Sequence, residues 1–394
     1  MTAATDTLQH AHTPWYRDVK VLRIVAQVGA VVIAVGITTM LLLTARSNLA
    51  DRGISTDFGF ITQPTQFEIG ESGFSSSSPI WRAVLEGAKN TGLVVAIGIP
   101  LTTLLGVLIG IARLSKNFLL RKAAAMYVET LRNIPPLLVI LFTNTIILTL
   151  PIIQEGATPF GLFVVSNRRF AMPSIVNGDN SGIFWFCVLG ALIATVVVWR
   201  WRTRVFNETG QLHHRVLWGL GTFFLISVAA FLILGDPILL SKPVLVPEER
   251  LIVGGTTMLA GYATVTLALT LYTASHIAEI VRGSILAVPK GQTEASFAVG
   301  LTNFQRYRFV VLPQAARIAI PPTINQYLNF TKNTSLAIAV GFAEITVVAV
   351  TIIGNGNPAP QTIAILMLVY LAFSLSLSFV MNRVNRRLQL ATQR

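Results

Sequence analysis

Long apolar stretches alternate with short polar and basic segments along most of the chain. A helix of about 20 apolar residues crosses the roughly 30 Å hydrocarbon core of a bilayer. Eight stretches meet or approach that length: residues 21–44, 90–112, 125–150, 183–199, 216–235, 255–275, 317–345 and 362–381. Pro321 and Pro322 interrupt the seventh, so it is the weakest match to a single helix. The pattern predicts an all-α membrane protein with about eight transmembrane helices.

Composition supports a membrane protein before any motif is considered. The 394 residues are 53% hydrophobic and 12% charged, with a mean hydropathy of +0.65, whereas soluble domains are about 25% charged. The net charge of +13 does not indicate a nucleic-acid partner, because the basic residues recur in small groups between apolar stretches. Cys187 is the only cysteine, which excludes an intramolecular disulfide.

The distribution of Lys and Arg predicts the orientation of the chain. With a cytoplasmic N-terminus, the inner segments carry 20 basic residues and the outer segments carry 8. Cytoplasmic loops of membrane proteins are enriched in Lys and Arg, so eight spans with both termini in the cytoplasm fit this distribution. The polar stretch 1–20 then forms a cytoplasmic tail that lacks the features of a cleavable signal peptide. Residues 276–313 also face the cytoplasm.

The segment His276–Pro313 is the part of the chain best suited to contact another protein. Pro289-Lys290-Gly291 should break the preceding helix, and a short helix over 292–299 should follow. Gly300 is well placed to end that helix in a left-handed conformation, and Thr302 or Asn303 can cap the next helical piece. A short exposed helix held between two breaks is suited to docking in a groove of a partner.

The same segment resembles the EAA loop of the permease subunits of ABC importers. That loop has Glu-Ala-Ala, a Gly four positions later, and an Ile-x-Leu-Pro that ends the element. This chain has Glu294-Ala295-Ser296, then Gly300, then Val310 to Pro313 at the same separations, with Ser296 in place of Ala and Val310 in place of Ile. The positions that the resemblance assigns to ATPase coupling are Glu294, Ala295, Ser296, Gly300, Leu312 and Pro313.

The resemblance also implies how the chain is divided. A type I ABC importer permease core would occupy 90–150 and 255–385, with 276–313 as its cytoplasmic coupling loop. The stretch 21–44 would be an extra N-terminal helix, followed by a periplasmic loop at 45–89, and 151–254 would be an insertion with two transmembrane helices. These additions match the longer permease of the general L-amino-acid uptake systems of Gram-negative bacteria.

Membership of this family implies a function and a set of partners. The chain would be the transmembrane permease of an importer that moves polar L-amino acids, either of the glutamate, glutamine and aspartate type or over a broad range, across the inner membrane. An ABC ATPase dimer would bind ATP and Mg, so this chain would bind no cofactor and would not itself be an enzyme. A periplasmic amino-acid-binding protein would deliver substrate, and a second permease, homologous or identical, would complete the path.

A second motif lies at 127–138 and resembles the YxExxRxxPxL segment of polar amino-acid permeases. Glu129 and Arg132 are three residues apart, so they share a helix face and can form an ion pair. We interpret the pair as structural, although ionisable groups at the edge of a span can also line a water path. The backbone groups freed at Pro135-Pro136 must face protein or water.

A third polar pattern lies in the seventh apolar stretch. The helical spacing of Asn325, Asn329 and Lys332 places them on one face, which should point into a bundle of helices. Such a face suits a zwitterion, with Lys332 for the carboxylate, amide oxygens for the ammonium, and further hydrogen bonds nearby. The substrate-path candidates are Asn325, Asn329, Lys332, Asn333, Thr334 and Ser335.

An equally weighted interpretation of this face is structural. The amides would then bond neighbouring helices, and Lys332 would pair with Glu129 or Glu344. Residues 331–335 resemble the Lys-Asp-Thr-Ser-Leu element of the family, but Asn333 replaces the usual Asp. That replacement removes a negative charge that could contact a substrate ammonium.

Two rival classes of protein remain to be compared with the importer. An ion-coupled secondary amino-acid transporter would need several buried Asp, Glu or His residues and matching broken helices in two repeats. A channel or scaffold protein would need neither. The sequence contains no P-loop, no His and Cys cluster with metal-ligand spacing, and no G-x-S-x-G elbow. Neither rival gives the EAA-like loop a role.

Overall fold

The computed structural model describes residue 16, residues 18–51, residue 53 and residues 57–69, 74–210, 214–249 and 251–390. Most of the predicted tail at 1–20, and both chain termini, lie outside these residues. The described chain is mainly helical: α1 Val19–Asp51, α2 Ile80–Ala112, α3 Phe118–Arg132, α4 Pro136–Leu148, α5 Ser181–Thr209, α6 Arg215–Leu234, α7 Ala260–Leu286, α8 Lys290–Ala298, α9 Asn303–Arg306, α10 Leu312–Asn333, α11 Ile345–Gly354 and α12 Ala359–Leu390.

The predicted fold class of a helical membrane protein is confirmed. Six of the described helices are long and apolar enough to cross a bilayer, and the number rises to eight if each of two bent helix pairs counts as one span. The first pair is α3 with α4, and the second runs from 303–340 into α11. A multi-pass membrane protein is the architecture that these lengths support.

Three of the predicted spans differ in course, and two others are longer than predicted: α2 begins at Ile80, within the predicted loop 45–89, and α5 continues to Thr209. The stretch 125–150 is not one helix, because α3 and α4 meet at an angle of 111° and Pro135 adopts an extended conformation between them. The helix predicted at 255–275 begins later and ends later than expected, because α7 runs from 260 to 286. The first part of the predicted loop 276–313 is therefore helical. Helix α10 continues through Pro321 and Pro322 to Asn333, where a 3₁₀ turn at Thr334–Val340 takes over.

Seven short strands, which the sequence did not predict, lie in and beside the segment 151–254 that is predicted to be an insertion. Strands β1 (Val164–Val165), β2 (Arg169–Met172) and β7 (Thr256–Leu259) form an antiparallel sheet, and two ladders pair β3 (Ser174–Asn177) with β4 (Ile238–Ser241) and β5 (Val244–Val246) with β6 (Leu251–Val253). Ser174 lies opposite Ser241, so the ladder closes the base of the antiparallel hairpin formed by α5 and α6. Met172 lies opposite Thr256 and joins the two ends of the insertion.

The chain forms two compact units. One comprises 1–84 and 349–368, and its described part contains α1, a 3₁₀ turn at Gly59–Thr62 and an antiparallel bridge between Pro64 and Pro79. The other comprises 85–348 and 369–394 and contains the main helical core. The fully buried centre of that core is formed by Val94, Ile140, Val265, Ala268, Leu269 and Phe330.

Small residues on α2 allow the core helices to approach closely. A Cβ at Gly98 would lie 2.1 Å from Cζ of Phe330, and a Cβ at Gly110 would lie 2.7 Å from the backbone oxygen of Ala278. Both distances are too short for real contacts, so α2 can pack against α7 and α10 only with glycine at these positions. Close backbone approach at small residues is the usual means of helix association in membranes.

Gly98→Ala should therefore destabilise the helical core. Phe330 is fully buried, and the added methyl would force it off its rotamer, which costs about 1–3 kcal/mol. Thermal unfolding of the purified protein in detergent should show a lower melting temperature for Gly98→Ala. Adding Phe330→Leu to the same chain should restore part of the lost stability. Gly190→Ala is the matched control, because the position is helical and has open space around it. An equal loss from both single variants would contradict the packing described here.

Candidate functional site

Helix α8 and its C-terminal turn form a compact, exposed element. The helix covers Lys290–Ala298, close to the predicted 292–299. The Leu301 N–H donates to the Ser296 carbonyl at 3.1 Å, and the Gly300 N–H donates to the Phe297 carbonyl at 2.9 Å. These two bonds form a Schellman motif. Gly300 has φ +80°, so the predicted left-handed conformation is confirmed.

The next helical piece begins at a capping box, as the Thr302 prediction requires. The Gln305 N–H donates to Oγ1 of Thr302 at 3.3 Å, and the Thr302 N–H donates to Oε1 of Gln305 at 3.0 Å. The short helix α9 then leads through a π-helical turn at Tyr307–Val311 into Leu312 and Pro313, which start α10. The segment between α7 and α10 is thus ordered by local hydrogen bonds at each break.

Side chains around α8 divide into an anchored set and an exposed set. Val288, Val311 and Ala315 pack together beneath the helix, and the Gln314 side chain donates to that of Gln292 at 3.2 Å. Ser296 is buried, and its hydroxyl donates to the Thr293 carbonyl at 2.6 Å. The exposed positions are Glu294, Ala295, Phe297, Val299 and Pro313, with Leu312 44% exposed.

The predicted ion pair between Glu129 and Arg132 is wrong. The Glu129 carboxylate lies 3.7 Å from the Arg113 guanidinium, and Arg132 is exposed. Arg113 also forms an ion pair with Glu279, which in turn accepts hydrogen bonds from Arg282 at 2.6 and 3.1 Å. The cation that pairs with Glu129 is thus Arg113, the residue that follows α2. The spacing of residues within one helix does not reveal this pairing.

Sequence reasoning therefore missed the ion cluster formed by Arg113, Glu279 and Arg282. The three side chains are 13%, 24% and 30% exposed, so the charges are partly withdrawn from water and are compensated by one another. The cluster ties the end of α2 to the last third of α7. The only local signal for it is the spacing of three residues between Glu279 and Arg282.

Helix α10 separates its buried and polar faces cleanly. Ile324, Tyr327, Phe330 and Thr331 are buried, whereas Asn325, Asn329 and Lys332 are exposed in the single chain. The three polar side chains therefore share one outward face, as their spacing predicted. Asn333 and Ser335 are partly buried, and the Ser335 hydroxyl donates to the Lys332 carbonyl at 2.9 Å.

Thr334 does not join that face. Its side chain is fully buried, and its hydroxyl donates to the Thr331 carbonyl at 2.8 Å. The change from an α-helix to a 3₁₀ turn at this position rotates the following side chains relative to the helical stripe.

Glu344 is also not an ion-pair partner of Lys332, which corrects the structural alternative. The carboxylate is fully buried and accepts hydrogen bonds from the Tyr370 hydroxyl at 2.8 Å and the Thr91 hydroxyl at 3.2 Å. It also accepts bonds from the backbone N–H groups of Thr346 at 2.7 Å and Val347 at 3.3 Å. These are the second and third residues of α11, so Glu344 caps that helix. Among the described residues, no ion pair within 4.0 Å joins Lys332 to a carboxylate.

Comparison with known proteins gives a consistent picture. The family of binding-protein-dependent transport system inner membrane components matches residues 216–390. The general L-amino acid transport system permease protein AapQ of Rhizobium johnstonii is 39% identical over 396 residues, covering 98% of each chain. The amino-acid ABC transporter permease protein YhdX of Escherichia coli, named as putative, is 39% identical over 374 residues, covering 92% of this chain and 93% of that protein.

A third relative shows similarity of comparable extent. The glutamate/glutamine/aspartate/asparagine transport system permease protein BztB of Rhodobacter capsulatus is 33% identical over 409 residues, covering 95% of each chain. The alignment with AapQ covers 98% of this chain, so it includes both the segment 151–254 and the first long helix, and the similarity extends beyond 90–150 and 255–385.

Proposed function

The chain belongs to the permease components of amino-acid ABC transporters, and from this premise we propose that it forms part of the membrane path of an importer for polar L-amino acids. The observation that carries the proposal is the similarity to AapQ over nearly the whole of both chains. The names of AapQ and BztB support substrates of a broad range or of the glutamate, glutamine and aspartate type. The relatives give no support to an ion-coupled mechanism.

The proposed location is the inner membrane, with both termini in the cytoplasm. The distribution of basic residues supports this orientation. The basic residues favour the inner segments by 20 to 8. The same orientation places α8 on the cytoplasmic side and the strands of the insertion on the outer side, where a binding protein would approach.

An ABC ATPase dimer is the proposed partner of α8, around Glu294 to Gly300. ATP and Mg would be held by that partner, because this sequence has no P-loop. The helix is suited to transmit motion. The Schellman motif closes its end, Gln292 of α8 accepts a hydrogen bond from Gln314 of α10, and Val288, just before α8, packs with Val311 and Ala315. A displacement of α8 would therefore move the core helices as a rigid body between two states of access.

The path itself is proposed to follow the polar face of α10. Asn325, Asn329 and Lys332 are exposed in the single chain yet lie in a membrane-length segment, where contact with lipid would be costly. A second permease, homologous or identical, would cover this face and enclose an aqueous route. Lys332 would bind the substrate carboxylate by a charge-assisted hydrogen bond, and the amide oxygens would accept bonds from the ammonium. Asn333 and Ser335 would lie at the end of this route.

Purification of the assembled complex tests the function as a whole. The tagged chain, purified from its host membranes and placed in proteoliposomes with the binding protein, should move glutamate only when ATP is supplied on the ATPase side. Uptake should continue after ionophores collapse the ion gradients, because the proposed energy source is hydrolysis. Uptake that follows an imposed ion gradient without ATP would exclude the importer mechanism.

A further inference from the structure

A buried hydrogen-bond cluster lies directly behind the proposed path. Its centre is the Tyr370 hydroxyl on α12, which donates to Glu344 at 2.8 Å. The same oxygen lies 3.0 Å from the Thr346 hydroxyl, which can donate to it, and 3.4 Å from the Thr334 hydroxyl, whose proton is donated to the Thr331 carbonyl at 2.8 Å. The phenol oxygen thus gives one hydrogen bond to Glu344 and receives one from Thr346, with the Thr334 hydroxyl as a longer third contact.

The Glu344 carboxylate connects this cluster to two more segments. One of its oxygens accepts the two backbone N–H groups at the start of α11, and the other accepts the hydroxyls of Tyr370 and Thr91. Thr91 also accepts a bond from the Ile345 N–H at 3.2 Å. Three donors and the Thr91 hydroxyl, whose single proton also faces the Gly87 carbonyl at 3.0 Å, surround the carboxylate, so the side chain holds α2, α11 and α12 around one buried point.

Thr334 is the link between the cluster and the path. It follows Lys332 and Asn333 directly, at the position where α10 ends and the 3₁₀ turn begins. Its fully buried hydroxyl donates to the Thr331 carbonyl and lies 3.4 Å from the Tyr370 hydroxyl, while the exposed Lys332 lies on the other side of the same turn. A shift of Tyr370 would therefore change where the last turn of α10 holds Lys332.

We propose that Glu344 and Tyr370 are positioning residues for transport, which hold the turn at Asn333–Ser335 so that Lys332 is presented to the substrate. This inference rests on the function proposed above and deepens it. A side chain that only stabilised the fold would lower the amount of assembled importer without changing the work done per transported molecule. Loss of a positioning residue should change the number of ATP molecules hydrolysed per amino acid transported.

The matched comparison is Tyr370→Phe with Tyr327→Phe. Tyr327 is buried on α10, and its hydroxyl lies 2.7 Å from the hydroxyl of Thr103 on α2. Each variant removes one hydroxyl from a partly buried hydrogen bond, but only Tyr370 belongs to the cluster behind the path. Melting temperature and the ATP hydrolysed per amino acid transported should be measured in proteoliposomes at equal amounts of assembled complex.

We expect both variants to lower the melting temperature by a similar amount. Tyr370→Phe should also raise the ATP hydrolysed per amino acid by about five-fold, the effect of one lost hydrogen bond on the productive arrangement, whereas Tyr327→Phe should keep the wild-type ratio. A wild-type ratio for Tyr370→Phe, or an equal rise for Tyr327→Phe, would overturn the inference.

The wild-type complex separates this inference from the function on which it rests. If wild-type proteoliposomes show no uptake driven by ATP, the importer function fails. If they show such uptake and the Tyr370→Phe ratio is unchanged, only the positioning role fails. Glu344→Gln adds a second test where it assembles, because the amide keeps the shape of the carboxylate but offers one acceptor oxygen in place of two.

Discussion

Gly300→Leu should uncouple transport from ATP hydrolysis while leaving the protein in the membrane. Gly300 has φ +80° at the end of α8, where a residue with a Cβ is less stable by about 1–2 kcal/mol. The space around the glycine is open, so the expected effect is a change in how the helix ends and not a steric clash. If the Schellman bonds are lost, the docking helix loses its fixed geometry, and uptake should fall by at least about ten-fold.

The control for this prediction lies in the same helix. Gly291 also has open space around it but has no positive φ, so Gly291→Ala should be tolerated where Gly300→Ala is not. Uptake, basal hydrolysis and co-purification of the ATPase should be compared at equal expression. Normal uptake by well-expressed Gly300→Leu and Glu294→Lys variants would place the docking surface elsewhere.

Lys332→Met should raise the substrate concentration for half-maximal transport by roughly 10- to 100-fold. Methionine keeps much of the length of lysine but removes one charge-assisted hydrogen bond, which contributes about 1.5–3 kcal/mol. Hydrolysis without substrate should continue, because α8 is unaffected. Lys122→Met is the matched control, since Lys122 is exposed on α3 and is not part of the α10 face.

The double variant Lys332→Met with Glu344→Gln addresses the structural alternative directly. Glu344 is bonded to Tyr370, Thr91 and the start of α11, so we expect no rescue of uptake by the second change. A full rescue would mean that the two side chains interact in the assembled protein, and the substrate site would then have to be sought on other helices.

Local patterns were sufficient to predict α8 and its boundaries. Pro289, Gly300 and Thr302 each restrict the backbone within a few residues of themselves, so breaks, caps and the left-handed turn follow from the sequence. The same kind of signal existed for α11, because Glu344 precedes Thr346 and Val347 as a helix cap does. The negative charge of Glu344 also fits an ion-pair partner, and the fold shows that the side chain caps α11 instead.

Long-range pairings could not be predicted in this way. Arg113 competes with Arg132 for Glu129 only because the fold brings α2 beside α3, and its main partner Glu279 lies more than 160 residues away in the chain. The strands could not be predicted for a related reason. Each has two to four residues, too few for a periodic pattern, and β2 and β7 pair although the α5–α6 hairpin separates them in the chain. The bend at Pro135 was signalled locally, but its angle depends on packing against α7.

The pairing of β2 with β7 also has a consequence for the order in which the chain folds. About 110 residues separate the end of α4 from the start of α7, and these two helices pack in the same core. Once the ladder has formed around the α5–α6 hairpin, only about 30 residues of chain connect them. The remaining loop-closure entropy falls by about 1 kcal/mol. We therefore expect the insertion to fold as an early hairpin, so that the two halves of the core meet across a short tether during synthesis.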